Sequence, residues 1–138
     1  MIKEDFVSYD IAMLLKEKGF REKCIATYNL QTLEFNVEEV YQDWTSKWQG
    51  YYVSVPTLQM ALKWLRDVHH LYIAVGIGCD VDNPKLQFYT PYITQFGEKY
   101  TDYLGNFDEA EYETSEEAAS DALKYALENL VGNGRKTE

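Results

Sequence analysis

The stretch Thr57-Leu-Gln-Met-Ala-Leu-Lys-Trp-Leu-Arg-Asp-Val-His69, followed by Leu71-Tyr-Ile-Ala-Val-Gly-Ile-Gly78, decides the fold class. Its first part places apolar residues at the spacing of one helix face and begins with a threonine that suits an N-cap. Its second part has apolar and β-branched residues at positions 71, 73, 75 and 77, a period typical of a strand. An amphipathic helix that runs directly into a strand indicates a protein that mixes both elements.

The flanking sequence extends this pattern in both directions. A capped helix is predicted over 8–19, a hairpin from the strands 24–28 and 33–37, a return strand over 85–94, and a closing helix over 114–131. The order is therefore α-β-β-α-β-β-α. We expect an α+β fold with a single, mostly antiparallel sheet of four to five strands and three helices packed against it. Residues 38–50 fit either a short helix or an irregular strand.

Composition restricts the class of protein. A chain of 138 residues with 46% hydrophobic residues has the size and apolar content of one globular domain, predicted over 1–131 with a flexible polar tail over 132–138. The net charge of −10 argues against direct nucleic-acid binding through phosphate neutralisation. Neither a membrane span nor a secretory signal is evident, so we expect a cytoplasmic protein in which Cys24 and Cys79 are buried, reduced thiols.

Three segments resemble a known family. They are Phe6-Val-Ser-Tyr-Asp-Ile-Ala with Leu15-Lys-Glu-Lys-Gly-Phe20, Val55 to His69, and Tyr112-Glu-Thr-Ser-Glu-Glu-Ala with Ala122 to Leu130. In these segments the chain resembles small uncharacterised proteins encoded by phages, prophages and other mobile elements of gut anaerobic bacteria. The matching residues are packing motifs. The resemblance implies a setting and brings with it no catalytic residue.

Motifs that could carry chemistry are incomplete. His69 and His70 are neighbours on a helix and point about 100° apart, so they do not form a metal-binding pair of the i, i+4 kind. Gly76-Ile-Gly78 leads into a turn, whereas a phosphate site needs a helix N-terminus there. Asp80-Val-Asp-Asn83 lacks the glycine and glutamate of a calcium loop. We therefore expect no catalytic residue, no metal, no cofactor and no enzymatic activity.

Aromatic residues crowd one short segment between the predicted hairpin and the central helix. If they are buried, which is the expected arrangement, they close the core. If they are exposed, they form a binding platform of the kind that supplies interface hot spots. The residues of this candidate interaction surface are Tyr41, Trp44, Trp48, Tyr51 and Tyr52.

Negative charge is concentrated near the closing helix, because residues 100–123 hold eight acidic and no basic side chains. A solvated loop and an acidic first helical turn explain such a distribution. The alternative is a surface that mimics nucleic-acid phosphates and binds a basic protein. Its residues would be Asp108, Glu109, Glu111, Glu113, Glu116 and Glu117.

The sequence thus predicts a small acidic protein that acts without catalysis through protein–protein contact. The partner is a protein, and self-association stays open. The alternative function is an acidic decoy, a nucleic-acid mimic that occupies a basic nucleic-acid-binding protein. The two differ in salt dependence, because binding through the acidic residues weakens steeply as salt rises.

Overall fold

The computed structural model of the protein describes residues 4–97, 101–102 and 111–132. It confirms the α+β class. No helix within these ranges is long and apolar enough to cross a membrane. The elements in chain order are α1 (Tyr9–Glu17), β1 (Cys24–Asn29), β2 (Phe35–Gln42), α2 (Trp44–Lys47), β3 (Tyr52–Val55), α3 (Leu58–His69), β4 (Leu71–Cys79), β5 (Gln87–Gln95), β6 (Thr101–Asp102) and α4 (Ser115–Asn129).

The strands form two antiparallel sheets, with the orders β2-β1-β3 and β4-β5-β6. The prediction of a single sheet of four to five strands with three helices is therefore wrong. The physical reason for the difference is β3. This four-residue strand pairs with β1 and completes a first sheet before α3 begins. The described chain also has a fourth helix, α2, inside the segment that the sequence left ambiguous.

The chain divides into two compact units. The first comprises the residues up to Ala61 together with those from Leu127 onward. The second comprises Leu62–Ala126. Each unit holds one of the sheets. The prediction of a single domain over 1–131 stays a prediction, and residues 133–138 of the expected tail lie outside the described part of the chain.

In the first unit, α1 packs against β3. Its N-cap is Ser8, whose Oγ accepts a hydrogen bond from the backbone N of Ile11 at 3.3 Å, as the sequence predicts. Ile11, Ala12 and Leu15 on its inner face are buried. In the sheet, Tyr28 of β1 lies between Phe35 of β2 and Val53 of β3, so these side chains share one face.

The second unit is built on a regular hairpin. Strands β4 and β5 pair without interruption from Leu71↔Gln95 to Cys79↔Gln87. One face buries Leu71 and Ile93. On the opposite face, aromatic rings lie over glycines: a Cβ atom added to Gly76 would come within 3.0 Å of Tyr92 Cε2 and one added to Gly78 within 2.7 Å of Phe88 Cε2.

Helices α3 and α4 begin at the threonine caps that the sequence indicates. Thr57 Oγ1 accepts a hydrogen bond from Met60 N at 3.1 Å, and Thr114 Oγ1 accepts one from Glu117 N at 3.1 Å. His70 follows α3 with a φ of 58°, a left-handed conformation that ends the helix. The buried residues of α4 are small or branched apolar side chains: Ala118, Ala119, Ala122, Leu123, Ala126 and Leu127.

Replacement of Gly50 by alanine is expected to destabilise the protein by about 1 kcal/mol, because Gly50 has a φ of 83°, in the left-handed region, with open space around its Cα. The loss would be measured by urea denaturation. Gly97→Ala is the matched control, since a Cβ at Gly97 also meets nothing within 4 Å and its backbone is not left-handed. Equal losses for both variants would contradict this assignment to backbone strain.

Candidate functional site

The aromatic segment is held at its centre by Trp44, the first residue of α2. Its indole Nε1 donates a hydrogen bond of 2.7 Å to the carbonyl O of Cys24 in β1. Its backbone N donates to Ser54 Oγ in β3 at 2.9 Å. Since the side chain is buried and its indole donor is satisfied, Trp44 joins α2 to two strands of the first sheet.

A buried exchange of hydrogen bonds between Thr45 and Ser54 reinforces this attachment. Ser54 N donates to Thr45 Oγ1 at 2.9 Å, and Thr45 N donates to Ser54 Oγ at 3.3 Å. Both residues are buried. Asp43 caps the helix from outside, since its Oδ1 accepts from Ser46 N at 3.1 Å. A four-residue helix would not persist in water alone, so these bonds determine its position.

The five aromatic residues of the candidate surface do not share one environment. Trp44 is buried and Tyr52 is half-buried, with its ring edge-to-face against Trp44 and Trp48 at centroid distances of 6.3 and 6.4 Å. Tyr41 and Tyr51 are each 60% exposed, and Trp48 is 43% exposed. Of the five rings expected to be buried, only that of Trp44 is buried, while those of Tyr41, Trp48 and Tyr51 are exposed to solvent.

Strand β2, which leads into this segment, is an outer strand of the first sheet. Its pairing with β1 is irregular: Val37 lies opposite Ala26 and Gln42 opposite Cys24, so residues 38–41 face Ile25 alone. Val37 and Val40 are exposed. Thr27 Oγ1 donates to Glu38 Oε2 at 3.2 Å, which ties the irregular stretch to the sheet.

We define the β2 surface as the exposed apolar and aromatic residues between positions 37 and 51, in β2 and in the connection to β3. The sequence analysis did not include Val37 and Val40 in the candidate surface, because it ended the strand at Val37 and left residues 38–50 open between a short helix and an irregular strand. The alternation around Phe35 and Val37 was the signal that could have extended the strand. The residues of the β2 surface are Val37, Val40, Tyr41, Trp48 and Tyr51.

The described residues of the candidate acidic surface lie in and before the first turn of α4. Glu111, Glu113, Glu116 and Glu117 are exposed, whereas Asp108 and Glu109 lie outside the described residues. Glu116 and Glu117 are in the first turn of the helix, where negative charge complements the helix dipole. This part of the charge has a structural explanation.

Tyr112 lies among these acids and is held in place from two sides. Its backbone exchanges two hydrogen bonds of 2.9 Å with Tyr89 of β5. Burial, followed by a hydrogen bond to Asp121 and the charge of that residue, raises the pKa of Tyr112 to about 12. Within the described ranges, no group of three His, Cys, Asp or Glu side chains could hold a metal ion.

Comparisons with protein-family models, with curated proteins and with solved structures give no match. The resemblance to mobile-element proteins therefore stays a prediction from the sequence. The observation that bears on function is the chemistry of the molecule's own surfaces.

Replacement of Ser54 by alanine is expected to cost about 1–3 kcal/mol in the free energy of unfolding, because it leaves two buried backbone donors, Trp44 N and Thr45 N, without their acceptor. Urea denaturation followed by tryptophan fluorescence would measure the loss. Ser46→Ala is the control, since Ser46 is an exposed serine of the same helix. A loss for Ser54→Ala no larger than the control would show that the exchange contributes little.

The two cysteines are expected to differ sharply in reactivity. Burial, followed by the charges of Asp43 and Glu22, raises the pKa of the Cys24 thiol to about 12, whereas Cys79 is exposed. The sequence prediction of burial is confirmed for Cys24 and wrong for Cys79. A thiol reagent at pH 8 should modify one thiol per chain in the native protein and both after unfolding. In a Cys79→Ser variant, rapid native-state reaction of Cys24 would contradict this expectation.

Proposed function

We propose that this protein is a non-catalytic interaction module and that the β2 surface is where it contacts a protein partner. The observation that supports this proposal is the combination of exposed rings with a rigid attachment. Tyr41, Trp48 and Tyr51 face solvent, while buried hydrogen bonds hold the adjoining helix to the sheet. Exposed aromatic residues on a rigid scaffold lose little conformational entropy on binding and are frequent interface hot spots.

The outer edge of β2 suggests how a partner would bind. An outer strand presents backbone N–H and C=O groups that an extended segment can pair with, while side-chain contacts supply specificity. The irregular stretch carries Glu38 and Glu39 beside Val40 and Tyr41. A segment that combines apolar with basic residues is therefore the chemistry that complements this edge. We place the protein in the cytoplasm, in the setting of a mobile genetic element.

The acidic decoy remains the second candidate function. Its support is the exposure of Glu111, Glu113, Glu116 and Glu117 together with the acidic composition of residues 100–123. Two of these glutamates already have a role at the start of α4. For this reason we rank the decoy below the β2 surface.

The test compares partners captured from a bacterial lysate by the full chain and by two variants. The first variant is Tyr41→Ala, Trp48→Ala and Tyr51→Ala, and the second replaces the four described glutamates by glutamine. We expect the first variant to lose the specific partner, with an affinity loss of about 30-fold or more for the purified pair, as truncation of hot-spot residues typically costs. The second variant should retain it.

Circular dichroism and thermal unfolding of both variants would establish that they are folded. A partner that is retained by the aromatic variant but lost by the glutamine variant, and that elutes at moderate salt, would overturn the proposal in favour of the decoy. A partner that both variants retain would exclude both surfaces.

A further inference from the structure

The second sheet has an outer strand that is unlike β2. Strand β4 pairs with β5 over nine consecutive residue pairs without a bulge. On its other side, no strand within residues 4–97, 101–102 and 111–132 pairs with it. The edge of β5 that faces away from β4 is partly paired, since β5 forms hydrogen bonds there with β6 and with Tyr112.

The hydrogen bonds at the two ends of the hairpin show which backbone groups of β4 point outward. Phe96 N donates to His70 O at 3.1 Å, and Asp80 N donates to Leu86 O at 3.0 Å. Bonded and non-bonded pairs alternate in an antiparallel ladder, so the even-numbered residues of β4 bond to β5. The odd-numbered residues from Leu71 to Cys79 therefore direct their N–H and C=O groups away from the sheet.

The bonds of β5 agree with this assignment. Tyr89 lies opposite Ile77 and exchanges two hydrogen bonds with Tyr112 on the far side of β5. Tyr89 thus directs its N–H and C=O groups away from β4, as a residue of a non-bonded pair must. From Ile73 to Cys79 the outward edge of β4 is consequently a row of donors and acceptors, whereas Leu71 at the start of the strand is fully buried.

This edge lacks the features that prevent edge-to-edge pairing. Natural outer strands carry charged residues, proline or bulges for that purpose. The sequence Leu71-Tyr-Ile-Ala-Val-Gly-Ile-Gly-Cys79 contains no lysine, arginine, acidic residue or proline. Ile77 is 63% exposed. Strand β2, by contrast, carries the acidic pair Glu38 and Glu39, which would repel the same strand of a second copy while attracting a basic segment.

Charge decides what fits on β4. The chain carries a net charge of −10, so two copies repel each other least where acidic residues are absent, and β4 is such a place. A two-fold axis at Val75 would place Ile73 opposite Ile77 of the second copy and Ile77 opposite its Ile73. Apolar residues then meet apolar residues, and the outward backbone groups of Ile73, Val75 and Ile77 find partners. A basic segment would find no counter-charge on this strand.

We propose that two copies of this chain pair through their β4 strands, antiparallel about a two-fold axis at Val75, so that the two β4-β5-β6 sheets become one continuous sheet. This dimer uses a different strand from the β2 surface. It does not depend on the function proposed above, and its failure would leave that proposal intact.

The first test is sedimentation equilibrium of the full chain over a concentration series, with Ile77→Lys as the variant. We expect the wild type to dimerise and the variant to dissociate at least about tenfold more readily, because an ammonium group would face apolar residues of the second copy. Val81→Lys is the control, since Val81 is 92% exposed, lies beyond the strand and receives the same added charge. It should dimerise like the wild type.

The control also separates net charge from position. Both variants reduce the net negative charge equally, so a charge effect alone would strengthen both dimers. A wild type that stays monomeric at all concentrations would overturn the proposal. So would a dimer that Ile77→Lys leaves unchanged while circular dichroism shows the variant to be folded.

A second test measures the pairing geometry with a spin label on the exposed Cys79, while Cys24 remains buried. In the proposed register the two Cys79 Cα atoms lie eight strand residues apart along the sheet, about 27 Å at ~3.4 Å per residue. Pulsed electron paramagnetic resonance should give a distribution centred near that distance, broadened by the label. A dimer with a clearly different distance would overturn the β4 register.

Discussion

The geometry of the first unit depends on the buried hydrogen bonds between α2 and the sheet. Ser54 accepts from two successive backbone N–H groups, of Trp44 and Thr45, and in return donates its own to Thr45. These bonds provide acceptors for the free backbone N–H groups at the start of α2, a helix that is too short to be stable by itself. They also bring the Trp44 indole to the Cys24 carbonyl. These bonds also determine the positions of Trp48 and Tyr52, because Trp48 directly follows α2 and Tyr52 is the first residue of β3.

Local sequence signals predicted the three long helices well. Ser8, Thr57 and Thr114 are caps in the structure, and apolar residues at helical spacing are buried in α1, α3 and α4. The sheet arrangement was not predictable in the same way. Strand β3 is four residues long, and its pairing with β1 joins residues such as Ala26 and Val55 that are far apart in sequence. Periodicity reports a strand's faces and carries no information about its neighbour.

The candidate surface shows the same division. Composition located the aromatic segment, but which of its rings are exposed depends on contacts outside it. Trp44 is buried because a carbonyl group of β1, twenty residues earlier, accepts its indole hydrogen bond. Tyr41 is exposed because β2 is an outer strand with an irregular register. The acidic residues, in contrast, lie where their sequence context places them, at a helix start that favours negative charge.

The glycines of β4 have a consequence for how this sheet can vary. The rings of Phe88 and Tyr92 occupy the space that side chains at positions 78 and 76 would need. Each glycine and its ring therefore form a steric unit, in which a larger residue on β4 requires a smaller or reoriented one on β5. The effects of substitutions within each pair will be non-additive. A library that varies positions 76 and 78 alone would undercount the sequences this hairpin accepts, whereas varying each glycine together with its aromatic neighbour would recover them.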